Sequence, residues 1–511
     1  MEMLIKGGTV INYNGRCKAD VRVENGVITE TGPELSGETA GKIIDARGLL
    51  VLPGAIDAHT HLEMKMGRTF SADSYETGTR AAACGGVTTV FDYTLQENGR
   101  SMLGEIEDRM KLAGPAACVD YAFHGGISEV NEKTLAEVSE MVRSGFTSIK
   151  AYMTYDFGLN DRDLYRLLKT SAAAGALITV HAESDAIVSV SRSEFIAAGK
   201  GDVWYHYLSR PETAEEEADI RAILLARAAG APIYIVHLAN AGGKAFIEKC
   251  KTDYGRLKSA LPENEAADSL PGYDSNNINR YPVYAETCPH YLEFTNEVYR
   301  RPDGIRYICS PPMKGEASRK ALWDGICDGT IDVIATDHCP AQTFEKDWGK
   351  EDFTQAPNGL MGIENMYPYM LDVAGRTAED GAADAAGRAA GNEDGAYDGA
   401  ASNGKMSFER AVELCSFNPA RIFGCDTKGE IKHGMDADIV LYDPGKKFTI
   451  SASNMHSSLD YTVYEGKELH GYPVMTISRG MIVYEDGVFK GEAGYGRLLR
   501  RGLSAAYRLG K

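Results

Sequence analysis

Five apolar runs in this 511-residue chain end in, or carry, a side chain that can hold a cation. They supply His59 and His61 (DAHTH), Lys150 (SIKAYM), His181 (ITVHAE), His237 (YIVHLAN) and Asp337 (VIATDHCP). Imidazole with carboxylate is a donor set for zinc-type divalent ions. Residues two apart on a strand point to one side, so His59 and His61 can grip a single ion. A lone histidine after an apolar run is more often a hydrogen-bonded core residue. Four of the eleven histidines placed at run ends, with an aspartate closing the last run, make a poor fit to that ordinary role. His206, His433, His456 and His470 lack such placement and read as structural, whereas His124 and His290 follow strands and suit supporting roles. Lys150 is the anomaly. A protonated ammonium has no lone pair and repels cations, so it needs either a depressed pKa or a covalent change that makes it anionic.

The runs that must position these residues are Pro53–Ala58, Val87–Tyr93, Cys118–His124, Thr147–Tyr152, Leu177–His181, Pro232–His237, Val283–Thr287 and Asp332–Asp337. Amphipathic stretches such as Asp161–Ala174, Thr213–Ala229 and Ser318–Cys327 separate most of them. Eight strands alternating with helices predict an α/β fold, a (β/α)8 TIM-like barrel, and barrel enzymes carry their chemistry at the C-terminal strand ends. All six residues fall there. Both termini have a different texture: short strands with Asn-Gly turns at 14–15 and 25–26, matched near the other end by DADIVLYDP, PVMTISRG and MIVYEDGVFKG. They predict a small β-sandwich domain built from residues 1–52 and 426–511, around a catalytic barrel at 53–425. Gly375–Gly404 is Ala, Gly and acidic residues with almost no large apolar side chain, which predicts a mobile surface insertion. Lys258–Arg280 is a second polar insertion, ahead of the seventh strand.

Taken together, PGAIDAHTHLEM, SIKAYMTY, TVHAE, YIVHL, AETCPHYL, CSPPMK, ATDHCP and DFTQAPNG resemble the hydantoinase/dihydropyrimidinase branch of the amidohydrolase superfamily, in order and over nearly the whole chain. The resemblance implies a carbamate on Lys150 (N6-carboxylysine), formed with carbon dioxide and bridging two divalent metal ions, usually zinc. One ion is then held by His59, His61, Lys150 and Asp337, the other by Lys150, His181 and His237, with a hydroxide between them. It further implies that Asp337 orients that hydroxide and carries its proton to the leaving nitrogen. Tyr155 is implied as hydrogen-bond donor to the developing oxyanion, and main-chain groups near Thr287 and Asn358 as the grip on the ring. Met64, Met66, Phe157 and Leu159 would face the ring substituent. The implied reaction is hydrolytic opening of a 5-substituted hydantoin or dihydropyrimidine to the N-carbamoyl amino acid, by a homotetramer or dimer. NPARIFG followed by KGEIKHGMDADIVLYDP resembles the superfamily's passage from barrel to β domain.

Two other readings stay within the superfamily. Dihydroorotases follow the His-x-His pair with Leu-Arg, whereas here Leu62 is followed by the acidic Glu63, which disfavours a carboxylate-bearing substrate. An allantoinase-like activity suits AETCPHYL equally, and non-enzymatic relatives exist that have lost ligand positions kept here. Composition narrows the rest. A formal net charge of -19 argues against nucleic acid or an anionic membrane as partner. Ten cysteines without C-x-x-C spacing form no evident disulfide framework. The opening MEMLIKGGTVINYNG reads as strand and turn, so no signal peptide or membrane span is expected, and the expected compartment is the cytoplasm.

Overall fold

A computed structural model describes residues 2–37, 41–260, 281–385 and 406–508. Eight parallel strands, Ala55–Thr60, Val87–Tyr93, Asp120–Gly126, Ser148–Tyr152, Leu177–His181, Ile233–Ile235, Val283–Thr287 and Val333–Ile334, lie side by side in chain order. The gap between the last and the first is bridged at Thr60 and His338, where His61 N–H donates to the His338 carbonyl at 2.9 Å. This is the predicted (β/α)8 barrel. Its floor is filled with side chains, among them Ile56, Phe91, Leu177, Tyr234, Val333 and Phe423. Strand-borne side chains can therefore converge only at the open, C-terminal rim.

The sixth and eighth strands are shorter than expected. They stop before His237 and Asp337, whose backbones turn left-handed with φ of 40° and 49°. That conformation breaks an extended run. The helices follow local signals closely. Asp161–Ala174 begins where the Asn160 side chain accepts the Asp163 N–H and ends at Gly175, φ 87°; caps of this kind are each worth about 1 kcal/mol.

The terminal segments meet in one nine-stranded sheet. Leu50–Pro53 pairs antiparallel with Ile439–Tyr442, so the first and last parts of the chain are neighbours through the backbone. Their inner faces bury Met3, Ile5, Val21, Val23, Ile439 and Ile477 in a core separate from the barrel's. The Asn25-Gly26 turn has the two positive φ values, 52° and 82°, of a type I′ hairpin. Beyond Phe489 the tail leaves this sheet and runs beneath the barrel. Tyr121 exchanges main-chain hydrogen bonds with Arg497 and Leu499, and Arg501 reaches the Phe123 carbonyl at 2.6 Å.

Of the stretch predicted as a mobile insertion, 375–385 belongs to the helix Met366–Ala385, as its alanines favour, and the remainder lies outside the described residues. Most of Lys258–Arg280 lies outside them too. Among the described residues no helix is long and apolar enough to cross a membrane.

Candidate metal centre

His59 and His61 leave the first strand on the same side, and their Nε2 atoms lie 3.2 Å apart. Asp337 closes over both from the opposite side of the barrel seam: its Oδ1 is 3.1 Å from His59 Nε2 and 3.0 Å from His61 Nε2. His237 and His181 continue the arc, with ring centres 4.6 Å apart and His237 5.5 Å from His59. Lys150 lies among them. Its Nζ sits 4.5 Å from the centre of the Tyr93 ring and 5.3 Å from that of Tyr152, and it makes no ion pair among the described residues. The six residues singled out from the sequence thus come together.

The electrostatics match a site built for cations. Burial pushes the Lys150 amine down to about 8, only partly offset by Asp337 and Glu286. Burial alone would raise the Asp337 carboxyl; His59 and His61 more than reverse this and hold it well below the usual carboxylate range. His61, His181 and His237 are pushed below the ordinary histidine value, first by burial and further by Lys150. His59 is the exception: burial and Lys150 push it down, but Glu286 and Asp337 outweigh them and raise it overall. Neutral imidazoles at the other three, beside an ionised carboxylate, are protonation states that suit a divalent ion.

Two carboxylates that the sequence reading passed over hold the rings from behind. Glu286 Oε1 lies 2.7 Å from His59 Nδ1, accepts the His237 main-chain N–H at 3.1 Å, and its Oε2 accepts from Tyr234 at 2.8 Å. Glu183 Oε2 lies 2.8 Å from His181 Nε2. His59 thereby keeps Nε2 for the centre, and His181 keeps Nδ1 unspent on Glu183, as a carboxylate behind a metal-binding histidine would leave them. A signal was present: Glu183 and Glu286 are lone acids at the ends of apolar strands, where a carboxylate needs a partner. Predicted consequence: Glu286→Gln should weaken metal affinity about 10–100-fold, read by titration against a chelator. Unchanged affinity would remove Glu286 from that role.

The other predicted residues are placed as follows. Tyr155 is half-buried, its ring 5.2 Å from that of His181, with a left-handed backbone at φ 76°. Burial pushes its hydroxyl up to about 12, against the lowering effect of the neighbouring Arg210. Tyr155, His237 and Asp337 all carry positive φ, so backbone strain gathers at this rim. Phe157 stacks on Tyr155 at 5.4 Å, Met64 and Met66 are half-buried, and Leu159 is packed into the core. The Thr287 hydroxyl is spent on the Leu238 carbonyl at 2.7 Å, leaving only main-chain groups for a ligand. Asn358 has an exposed side chain; the Pro357 and Gly359 carbonyls on either side of it accept from the buried Lys346 Nζ at 2.8 and 2.6 Å. His124 stacks under Tyr93 at 4.3 Å and bonds Ser148 Oγ and the Ala58 carbonyl, so it supports the floor of the site.

The sequence profile described as "Amidohydrolase family" matches residues 50–483, which include all six ligand candidates. The chain belongs to the amidohydrolase family. It is also 39% identical over 505 residues, 98% of each chain, to a D-phenylhydantoinase of Escherichia coli O1:K1 / APEC. Among solved structures, this amidohydrolase matches a dihydropyrimidinase from Brevibacillus agri NCHU1002 with TM-score 0.86 and 33% identity, covering 99% of this chain and 100% of that one. A D-hydantoinase from Bacillus sp. AR9 gives TM-score 0.85 and 33% identity, covering 98% of this chain and 99% of that one. These full-length similarities put the chain in the hydantoinase/dihydropyrimidinase branch of the family.

Proposed function

We propose that this amidohydrolase opens a cyclic amide or imide by hydrolysis, taking a 5-substituted hydantoin or a dihydropyrimidine to the N-carbamoyl amino acid. The observation that carries this reading is the convergence of His59 Nε2, His61 Nε2 and Asp337 Oδ1 within 3.2 Å, beside a buried lysine, in a chain so similar to a D-phenylhydantoinase. The donor set fits two divalent ions, zinc by ligand type: His59, His61 and Asp337 for one, His181 and His237 for the other, with Lys150 shared. When bound, such a pair supplies an attacking water acidic enough to be used at neutral pH. Asp337 takes the proton of that water on its carboxylate and delivers it to the ring nitrogen as the C–N bond breaks. Tyr155 donates its hydroxyl to the carbonyl oxygen as negative charge develops there. Main-chain groups at Thr287 and near Asn358 orient the ring, and Phe157 with Met64 and Met66 gives the mouth an apolar wall suited to a bulky 5-substituent.

Lys150 completes the ligand set as a carbamate, in which the amine attacks carbon dioxide and loses a proton. Only the neutral amine can do this. With its pKa depressed to about 8, the neutral fraction rises with pH and saturates above that value. At fixed dissolved carbon dioxide, zinc reactivation of metal-stripped protein should climb through pH 8, where about half the amine is neutral, and level off roughly a unit above it. A rate still climbing toward 10.5, the ordinary lysine value, would contradict the depressed amine.

Tyr155→Phe should keep metal and lower turnover about 10²–10³-fold, the effect of losing one oxyanion donor. Undiminished turnover would remove Tyr155 from that role. A panel of dihydrouracil, 5-phenylhydantoin, allantoin and dihydroorotate, run on metal-quantified protein, tests the substrate class. Turnover confined to the first two is expected, and turnover of allantoin alone would favour the allantoinase-like alternative. We take the compartment to be the cytoplasm, where thiols stay reduced. We take the assembly to be a closed homotetramer or dimer.

A further inference from the structure

Arg210 is buried just past the short helix Val203–Ser209 and belongs to none of the motifs that supply the metal centre. Its Nη1 donates to Glu183 Oε2, the same oxygen that faces His181 Nε2. Its guanidinium carbon lies 5.6 Å from the centre of the Tyr155 ring, which itself lies 5.2 Å from the His181 ring. Four side chains therefore close a circuit: His181, Glu183, Arg210, Tyr155. The arginine is also fixed from its backbone, because the buried Lys314 Nζ donates to its carbonyl at 2.9 Å.

A buried guanidinium is costly without a partner, and Glu183 explains why this one is tolerated. A wall-filling ion pair needs nothing more. Here both ends of the pair abut groups assigned to the chemistry, and one of them, Tyr155, holds a left-handed φ of 76° that surrounding contacts must enforce. Arginine suits the task, since its rigid planar fork can bond a carboxylate along one edge while facing an aromatic ring.

We propose that Arg210 is a positioning residue that fixes the Tyr155 hydroxyl relative to the His181 side of the metal pair through Glu183. The inference rests on the roles given above to Tyr155 and His181. It adds a residue outside the ligand set whose loss costs turnover without touching the substrate.

The test is a double-variant cycle on metal-loaded full-length protein: Arg210→Lys, Tyr155→Phe and the pair, with kcat, KM for 5-phenylhydantoin and metal per chain measured on the same samples. Lysine keeps the charge opposite Glu183 but lacks the fork. Arg210→Lys should lower kcat about 10–100-fold, as small misplacements do, with KM within about twofold and metal retained. In the Tyr155→Phe background the same change should cost less than about threefold, because the group being positioned is already gone. Equal penalties in both backgrounds would overturn the proposal alone. Undiminished turnover of Tyr155→Phe by itself would remove the Tyr155 role, and the proposal with it. Glu183→Gln, which keeps the shape of the link, is the second variant should Arg210→Lys fail to fold. It should show the same dependence on Tyr155, and dialysis against a chelator should leave it nearer one metal than two. Additive losses with full metal retention would contradict the link.

Discussion

Lys150→Ala should purify with most of its metal missing and with turnover reduced by at least about 10³-fold, the scale on which a bound divalent ion contributes to hydrolysis. The side chain is buried, makes no ion pair among the described residues, and lies beside His59, His61, His181 and His237; its charge helps to push the last three toward the neutral form, whereas Glu286 and Asp337 raise His59 overall. On the proposed reading an ammonium there would oppose both ions, and the nitrogen is instead a carbamate, anionic and shared. Alanine would then remove the shared ligand, so both ions would lose a partner at once. The fold should tolerate the change, because what is lost is a buried amine already disfavoured by desolvation. Elemental analysis beside a thermal melt separates the outcomes. Wild-type metal content in a folded Lys150→Ala protein would end the bridging role.

Asp337→Asn carries the second largest expected effect, a fall in turnover of about 10²–10⁴-fold, the range for losing a positioned general acid–base group. Asparagine keeps the shape and can still place an oxygen between His59 Nε2 and His61 Nε2, so metal loss should be smaller than for Lys150→Ala. What it cannot do is accept a proton. The wild-type carboxylate is held well below its usual range by those two histidines despite its burial, so it stays ionised through the neutral range. Its contribution should therefore be flat with pH there, failing only in acid. The measurement is kcat against pH for both proteins with metal quantified. Turnover of Asp337→Asn within tenfold of wild type would show that the proton travels by another group.

The catalytic half of this architecture was legible because barrel geometry converts position in a strand into position in space. His59 with His61, His181, His237 and Asp337 stand at the ends of apolar runs and Lys150 within one, and they meet at one rim in the fold. The strand bounds at 233–235 and 333–334 were overrun because the left-handed turns at His237 and Asp337 are properties of the folded site, imposed against local preference. Glu183 and Glu286 escaped notice because a single acid beside an apolar run does not say which ring it backs. Arg210 lay further from view still. It reaches the centre from a helix end 27 residues beyond Glu183, through a contact that only tertiary structure makes. The direct pairing of Leu50–Pro53 with Ile439–Tyr442, and the docking of the tail under Tyr121, are likewise long-range pairings that turn signals and alternation leave undetermined.

The central claim is that a pair of cations held by these six residues opens a cyclic amide. Its most direct test is to strip the metal and titrate zinc back in the presence of bicarbonate, following 5-phenylhydantoin ring opening at each step. The account predicts no turnover in the stripped protein and a rise that breaks at two equivalents per chain. Full activity at one equivalent, or no ring opening at any zinc level, would contradict it.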